Sequence, residues 1–598
     1  MSLTSGLYVG TSGLQTSQNA LNTTAHNLSN METEGYVRQQ VLSSDKVYNT
    51  IKKASVSVSA QQVGIGVTYA KVRQVRDYFL DLSYRREAGR SAFYDESYNA
   101  MTEVEDLLDE MNDDASFNKS LSNFWSTIEE LAKTPDDTTV QRMLVQNAQS
   151  FLTNASQVYQ GLIDYQNELN AHIKDQVNHI NELGNRIYSL NDKIRSIEVG
   201  GVEEANDLRD ERNHCLDELA SLVNIKYSED LFGSVRVAVE GVDFVASDTV
   251  YEMNVVQDTV TGFYIPYWEF AATPVSDSSK AGENVYTAND GSLLDISAAR
   301  VFNMNALISS EKNTDVGKLR AMLYIRGDKV ANYADIPVKP EPPEEADYAG
   351  DPVGLEAAKA KYLADLDRYE ADTDYYNHTV AQSVCMNIQA EFDQLIHNVV
   401  TTVNKIFEDV SDPTTGYMCD DDGSPLQLFQ KIASDGYRFE GGEWKFNEEN
   451  TVDKTRTETL YSIPNLQVNP TLIREAGKMG FVFPDGTVDY ETAAKLIAGF
   501  DADIYVLNPN VTTKCSINSY YSSLVSQVAN SGSVYKNISD SQQATVNSIY
   551  NSREQVQGVS SDEELTSMIK FQNAYNASSR YITVIDEMLE HIIQTLAV

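Results

Sequence analysis

Heptad-spaced apolar residues stand at both ends of this chain, and no other feature narrows its fold so far. Leu7, Leu14, Leu21 and Leu28 recur every seven residues, with Leu3, Gly10, Ser17 and Thr24 or Ala25 at the intermediate positions. Near the other terminus Ile582, Ile585, Leu589, Ile592 and Leu596 form a second such row. Each row is a narrow coiled-coil stripe that its own helix cannot cover. Everything irregular or β lies between them, so the economical fold brings the chain back on itself and pairs its ends. The C-terminal helix has a cap in Ser560 or Ser561, and Asp562, Glu563 and Glu564 suit the positive end of its dipole. The N-terminal helix is built of Ser, Thr, Asn, Gln and Gly between its leucines, residues that cost roughly 0.5–1 kcal/mol each against Ala. It is not expected to be stable alone.

From Met1 to Met31 there is no Asp, Glu, Lys or Arg, in a chain whose formal net charge is -42. The excess of 88 acidic over 46 basic side chains repels nucleic acid and anionic lipid, so neither is an expected partner. At 598 residues the chain exceeds what one core can hold, and three or four domains are expected. No apolar run is long enough to cross a bilayer, and the N-terminus has neither the basic start nor the apolar centre of a cleavable signal peptide. That makes a cytosolic address the default, unless the protein is exported by a route that reads an uncleaved polar terminus. Cys215, Cys385, Cys419 and Cys515 are widely spaced with no CxxC pair, and read as free thiols.

Helical periodicity runs from Leu121 to about Ile197, where Ile173, Val177, Ile180, Ile187, Leu190, Ile194 and Ile197 keep a 3.5-residue spacing. A further helix lies in NDLRDERNHCLDELASLVNI, with Leu208, Leu216, Leu219 and Leu222 near one face. After Tyr227 the period changes to two: Val235, Val237 and Val239 alternate with polar residues before a turn at Glu240 and Gly241. Helix resumes near Val316. It is then interrupted by DIPVKPEPPEEADYAGDP, which holds five of the fourteen prolines and is expected to be extended and exposed. A helix follows from Gly354 and another from Val384 to Phe407. YRFEGGEWKF reads as a hairpin turning at Gly441 and Gly442. The expected fold is mainly α with β-containing outer domains. The terminal helices, 1–42 and 558–598, pair as a coiled coil. A long-helix bundle forms a rod from 43–228 and 512–557, supported by 313–334 and 376–411. Inserted parts comprise a β domain (229–312), a proline-rich and helical insertion (335–375) and an outer α+β domain (412–511).

Asn27, Leu28, Ser29 and Asn30, followed by Thr33, Gly35, Tyr36 and Arg38, resemble the N-terminal signature of the flagellar axial proteins, the rod, hook and hook-associated family. NDLRDERNHCLDELASLVNI and GVSSDEELTSMIKFQNAYNASSRYITVIDEMLEHII are similar to segments of its FlgK-type branch, which joins hook to filament. The likeness covers the first 225 residues and the last 90 or so. Two departures stand out: Glu34 occupies a position where the family commonly has Pro, and Gly327 separates an Arg and an Asp that are adjacent there. The resemblance implies a secreted, structural, non-enzymatic protein without cofactors, exported through the flagellar type III channel and located at the hook-filament junction. Implied partners are further copies of itself in a ring, the hook protein, the second hook-associated junction protein and a cytoplasmic export chaperone at the C-terminal helix. The terminal rows become an assembly seam that folds as copies join. Charges inside such a crowded wall would be desolvated beside their own copies, which accounts for the uncharged start. Gly6, Gly10 and Gly13 would let helix backbones approach closely.

Other readings are weaker. There is no HExxH, GxSxG or phosphate-binding glycine loop. His172 and His179 lie seven apart beside the helical stripe, without a metal-ligand pattern. Asp420, Asp421 and Asp422 before Gly423 lack the alternating donors of a calcium loop. Arg326-Gly327-Asp328 reads as a chance tripeptide. The aromatic hairpin from Tyr437 to Phe446 reads as half-buried sheet face rather than a glycan platform. The alternatives left open are the hook protein itself, disfavoured by the long bundle helices, and a surface adhesin or enzyme borne on the central domains.

Overall fold

The structure, a computed structural model, describes residues 3–46, 49–53, 60–108, 116–201, 204–275, 284–288, 291–344, 348, 351–446 and 457–596. Its helices are α1 (Leu3–Ser29), α2 (Tyr78–Leu108), α3 (Phe117–Leu131), α4 (Thr138–Glu198), α5 (Asn206–Leu222), α6 (Lys318–Arg326), α7 (Pro352–His378), α8 (Val384–Val410), α9 (Pro470–Arg474), α10 (Tyr490–Asp501), α11 (Ile517–Gln557) and α12 (Ser561–Leu596). Strands β1 (Gln39–Asp45), β2 (Asn49–Lys53), β3 (Ala60–Val63) and β4 (Val67–Gln74) follow α1. After α5 come β5 (Ile225–Glu229), β6 (Val235–Val239), β7 (Val242–Val245), β8 (Met253–Gln257) and β9 (Tyr264–Trp268).

The chain does turn back on itself. α1 packs along α12, and α2 packs along α11, so first and last segments run together for the length of two successive helix pairs. Residues 43–228, expected as helical rod, do not begin as helix. β1 and β4 form an antiparallel ribbon with a bulge between Leu42 and Ser43, and β2 pairs with β3 beyond it. Val67, Thr68, Tyr69 and Val72 favour strand here.

α4 is the spine. Its 61 residues extend about 90 Å at the usual helical rise. Asp137 caps it, accepting the Thr139 amide at 2.8 Å. The N-terminal half of α4 shares one core with α3, α8, the start of α11 and residues 417–507, centred on Phe124, Phe151, Phe392 and Phe429. The C-terminal half shares a second core with α5, α6 and the β5–β9 strands, through Ile180, Leu216, Val237 and Trp268. Residues 229–312 and 412–511 therefore share their cores with the helices. Each closes one end of the helical body, although a small satellite cluster around Ile296 adds to the first.

The proline-rich stretch also departs from its expected role at its start. Asp335 and Ile336 are buried, Asp335 accepts Lys329 Nζ at 2.6 Å, and Asp335 also receives the Asn332 amide at 3.1 Å. Beyond Pro337 the described residues are half-buried or exposed, and residues 345–347, 349 and 350 lie outside the described set. α7 begins at Pro352, capped by Asp351, and buries only Tyr376 at its far end.

Candidate assembly surface and its joint

α1 and α12 meet through small residues rather than leucines. Gly6, Gly10, Ser17, Ala20, Thr24 and Asn27 are the buried positions of this face, with Gly13 half-buried among them. Spacings of four and three residues make that face a coiled-coil seam. A Cβ on Gly6 would stand 2.8 Å from Ile585 Cδ1, one on Gly10 2.7 Å from Ile582 Cγ1, and one on Gly13 2.8 Å from Ser578 Oγ. The isoleucines of α12 thus enter notches left by missing side chains, and the two backbones come close.

The leucine row of α1 is not the stripe that meets α12. Leu14, Leu21 and Leu28 are half-buried and Leu7 is exposed, one position round the helix from the true seam. On α12 Ile585 is buried, Ile582 and Leu589 are half-buried, and Ile592 is exposed. The side chains of Leu3 and Leu596 lie outside the described residues. A second row on α12, Tyr581, Val584 and Met588, faces solvent, as do Ile593 and Tyr8. Single exposed apolar residues are ordinary, but periodic rows of them on a helix pair of which α1 has no Asp, Glu, Lys or Arg are a surface awaiting cover.

The signature residues lie at the base of this pair, where they build a joint. Asn27 acts as a partner strand would: its Nδ2 donates to the Gln39 carbonyl at 2.9 Å while its Oδ1 accepts the Gln39 amide at 3.0 Å and the Tyr36 hydroxyl at 2.8 Å. Asn30 caps α1 by donating to the His26 carbonyl at 3.0 Å, and its carbonyl receives the Thr33 amide. Gly35, at φ +76°, holds a left-handed turn against His214. Burial beside Asp207 and Asp210 raises the Tyr36 hydroxyl well above its ordinary pKa, so it stays a donor. Arg38 ties the joint to α12, its Nε 2.9 Å from Glu564 and its Nη1 2.9 Å from Glu563, while its amide donates to the Gln557 carbonyl.

Sequence reasoning missed the other half of this joint. Asp210 of α5 accepts the Val37 amide at 3.2 Å and Gln74 Nε2 at 2.6 Å; burial pushes its carboxyl up to about 7 against these bonds and Arg76. Below it runs a buried chain of alternating charge: Arg76, Asp81, Arg553, Asp217, Arg85. Arg76 Nη2 is 2.8 Å from Asp81, Arg553 bridges Asp81 at 2.8 Å and Asp217 at 2.7 Å, and Arg85 Nε closes on Asp217 at 2.6 Å. Burial alone would raise Asp217, but Arg85 and Arg553 outweigh it and hold the carboxyl below its usual range. These residues join α2, α5 and α11. Of this half of the joint only Asp210 lies in the charged NDLRDERN stretch, and nothing local marks Arg76, Asp81, Arg85, Asp217 or Arg553.

Elsewhere most of the side chains weighed for other chemistry are engaged within the fold. Among the described residues no three His, Cys, Asp or Glu side chains converge as a metal site. His179 pairs with Glu218 at 2.9 Å. Arg326 is buried, donating to Asn170 and to the Tyr264 carbonyl, and so cannot present its tripeptide to a receptor. Asp421 pairs with Lys478, and Asp420 lies near the amides of Gln430 and Asn469. In the hairpin Tyr437 is buried, Trp444 is half-buried and Phe439 is exposed. Among the described residues no helix is long and apolar enough to cross a membrane.

Comparison with known proteins accords with this layout. The family described as flagellar hook-associated protein FlgK helical domain matches residues 101–283. Residues 555–595 match the flagellar basal body rod FlgEFG protein C-terminal family, and residues 7–36 the flagella basal body rod protein family. The chain is 24% identical to flagellar hook-associated protein 1 of Bacillus subtilis over 99% of its own length and 98% of the relative's. To flagellar hook-associated protein 1 of Escherichia coli it is 23% identical over 97% and 98% of the two chains. The solved flagellar hook junction protein FlgK of Burkholderia pseudomallei aligns at a TM-score of 0.49 and 10% identity, covering 80% of this chain and 100% of that one.

Proposed function

We propose that the chain is a flagellar hook-associated protein of the FlgK kind, the structural piece that connects hook to filament, exported to the flagellum and assembled there as a ring of copies. The observation that carries this reading is the terminal helix pair. Its internal contact draws on small residues of α1 and on Ser578, Tyr581 and the isoleucines of α12, while the leucine row of α1 is at most half-buried and Tyr581, Val584 and Met588 of α12 remain exposed over much of their surface. Nested copies would bury both rows, and the uncharged α1 would line a crowded wall without desolvating ions. In this arrangement 1–42 and 558–598 form the inner tube, 43–228 and 512–557 the rod around it, and the segments 229–312, 335–375 and 412–511 face outward.

On the same reading its neighbours are the hook protein below and the second hook-associated junction protein above. Before export, a cytoplasmic chaperone covers the apolar rows of α12. The role is structural, and no chemistry is assigned to it. Immunogold labelling of intact flagella tests the proposal. One band at the far end of each hook is the expected result. Label along the whole hook would make the chain a hook protein, and label along filaments or on the cell body would overturn the junction role.

A further inference from the structure

Away from the terminal pair, the edge strand β5 connects two uncovered apolar features. At one end, the turn from Asp230 to Ser234 holds up Leu231, fully exposed at 100%, and Phe232, exposed at 72%. The turn is rigid. Asp230 Oδ1 accepts the amides of Phe232 at 2.8 Å and Ser234 at 2.9 Å, the Asp230 amide donates back to the Ser234 carbonyl, and Gly233 takes a left-handed φ of +79°. Two large apolar side chains on a fixed tip cost little further entropy when they dock. At the other end lies a groove of about 360 Å³ between the start of α2 and β5, floored by Leu82, Ile225, Tyr227 and Val316, with Phe79 exposed at 77% on its rim. A Leu and a Phe side chain fit a space of that size.

We propose that the Leu231-Phe232 tip of one copy seats in the α2/β5 groove of the next, a head-to-tail contact between copies of this chain. The occupant is argued from charge. In a chain of net charge -42, the groove mouth carries Lys226 and Arg86, the latter also reaching Glu87 at 2.8 Å. The tip is flanked by Asp230 and by Glu229, which also pairs with Arg209 of its own copy at 2.6 Å, so each feature carries charge complementary to the other. It is argued also from continuity. The groove opens at the first turn of α2, immediately after Arg76 and the joint that carries the terminal pair. The tip cannot fill its own groove: the straight strand between Ile225 and Leu231 holds them roughly 20 Å apart. A heterologous contact of this kind propagates around a ring, whereas a two-fold one would stop at a dimer. Neighbouring copies would then be offset by about that strand length.

This contact rests on the ring assembly proposed above, and its test separates the two. Photo-reactive benzoylphenylalanine is placed at Phe232 in the full-length protein, and intact flagella are irradiated. The expected product is an adduct at twice 66.5 kDa whose cross-linked peptide contains residues 79–86 or 224–227. The added substitution Phe79→Glu should cut that product at least tenfold while leaving the melting temperature of the purified protein unchanged, since Phe79 faces solvent. An adduct with another protein, an adduct elsewhere on the chain, or none from flagella whose hook ends carry immunogold label would each overturn the contact and leave the junction role standing. Absence of label from those ends would overturn the junction role and this contact with it.

Discussion

Arg553 of α11 bridges α2 and α5, and its removal is the sharpest test of what holds the joint together. It lies between Asp81 of α2 and Asp217 of α5, 2.8 and 2.7 Å away, and all five members of the charged chain have side chains less than a fifth exposed. In Arg553→Met each aspartate keeps one arginine, but the central link, with its charge-assisted hydrogen bond to Asp217 and its ion pair with Asp81, is lost inside a poorly hydrated site. Breaking a buried pair from one side typically costs about 3–5 kcal/mol, because the partner remains buried. At about 2 °C per kcal/mol for a large domain, the melting temperature should fall by roughly 6–10 °C. Arg553→Lys restores the charge but not the fork, so it can serve one aspartate at a time and should lose about half as much. Circular dichroism melts of purified protein would measure both. Because the chain is buried, raising salt to about 0.5 M should not remove the difference between variants. A melting temperature for Arg553→Met within about 2 °C of wild type would refute the reasoning.

The seam makes a second prediction. Gly10→Leu forces a side chain into the space of Ile582, and overpacking of about 1–3 kcal/mol exceeds the roughly 1 kcal/mol gained in helix propensity; swimming should be lost, while Gln18→Leu on the exposed face should be tolerated in a soft-agar assay. Leu21→Asp and Leu589→Asp should keep the wild-type melting transition but fail to cap hooks, releasing flagellin into the medium. Leu190→Asp, in the α4 core, should unfold the monomer instead. The last concerns pH. Burial pushes Glu391, Asp393 and Asp210 up to about 7, although Asn508 and Gln527 amides serve the first and the Ile463 and Tyr333 amides the second. A carboxyl with a raised folded pKa binds more protons folded than unfolded between about pH 4 and 7, so stability falls as pH rises through that window. The urea midpoint should be higher at pH 5.5 than at pH 8, by the equivalent of roughly 1 kcal/mol or more per group. Asp393→Asn should flatten the profile.

What the sequence made legible was whatever repeats loudly. Ile173 to Ile194 keep one period for six turns without a proline, and they do form one side of α4. The pairing of chain ends was legible for the same reason. The face on which α1 meets α12 was legible only in part: Gly10, Ser17 and Thr24 stood at intermediate heptad positions and Gly6, Gly10 and Gly13 as points of close approach, but Gly, Ser, Ala and Thr carry almost no hydrophobic signal and the neighbouring leucines outweighed them. Strands β1 and β4 were missed since short polar strands such as QQVLSSD alternate weakly. Arg553 and Asp81 lie more than four hundred residues apart, and nothing local in either segment announces the other. The signature at Asn27, Tyr36 and Arg38 was visible as a pattern, but its work as strand mimic, donor and tether depends on Gln39, Asp210 and Glu564, which only folding brings near.

One helix serves as a wall of both cores, and that has a mechanical consequence. Most large proteins relieve a load at a linker, where one body swings against another. Here α4 passes unbroken from the Phe151 cluster to the Ile187 cluster, with no proline in its interior, so a swing at mid-body would require rupturing a helix and two cores together. A twist applied at the α1/α12 end would therefore arrive at the far end as rotation of the whole piece, with little lost to bending on the way.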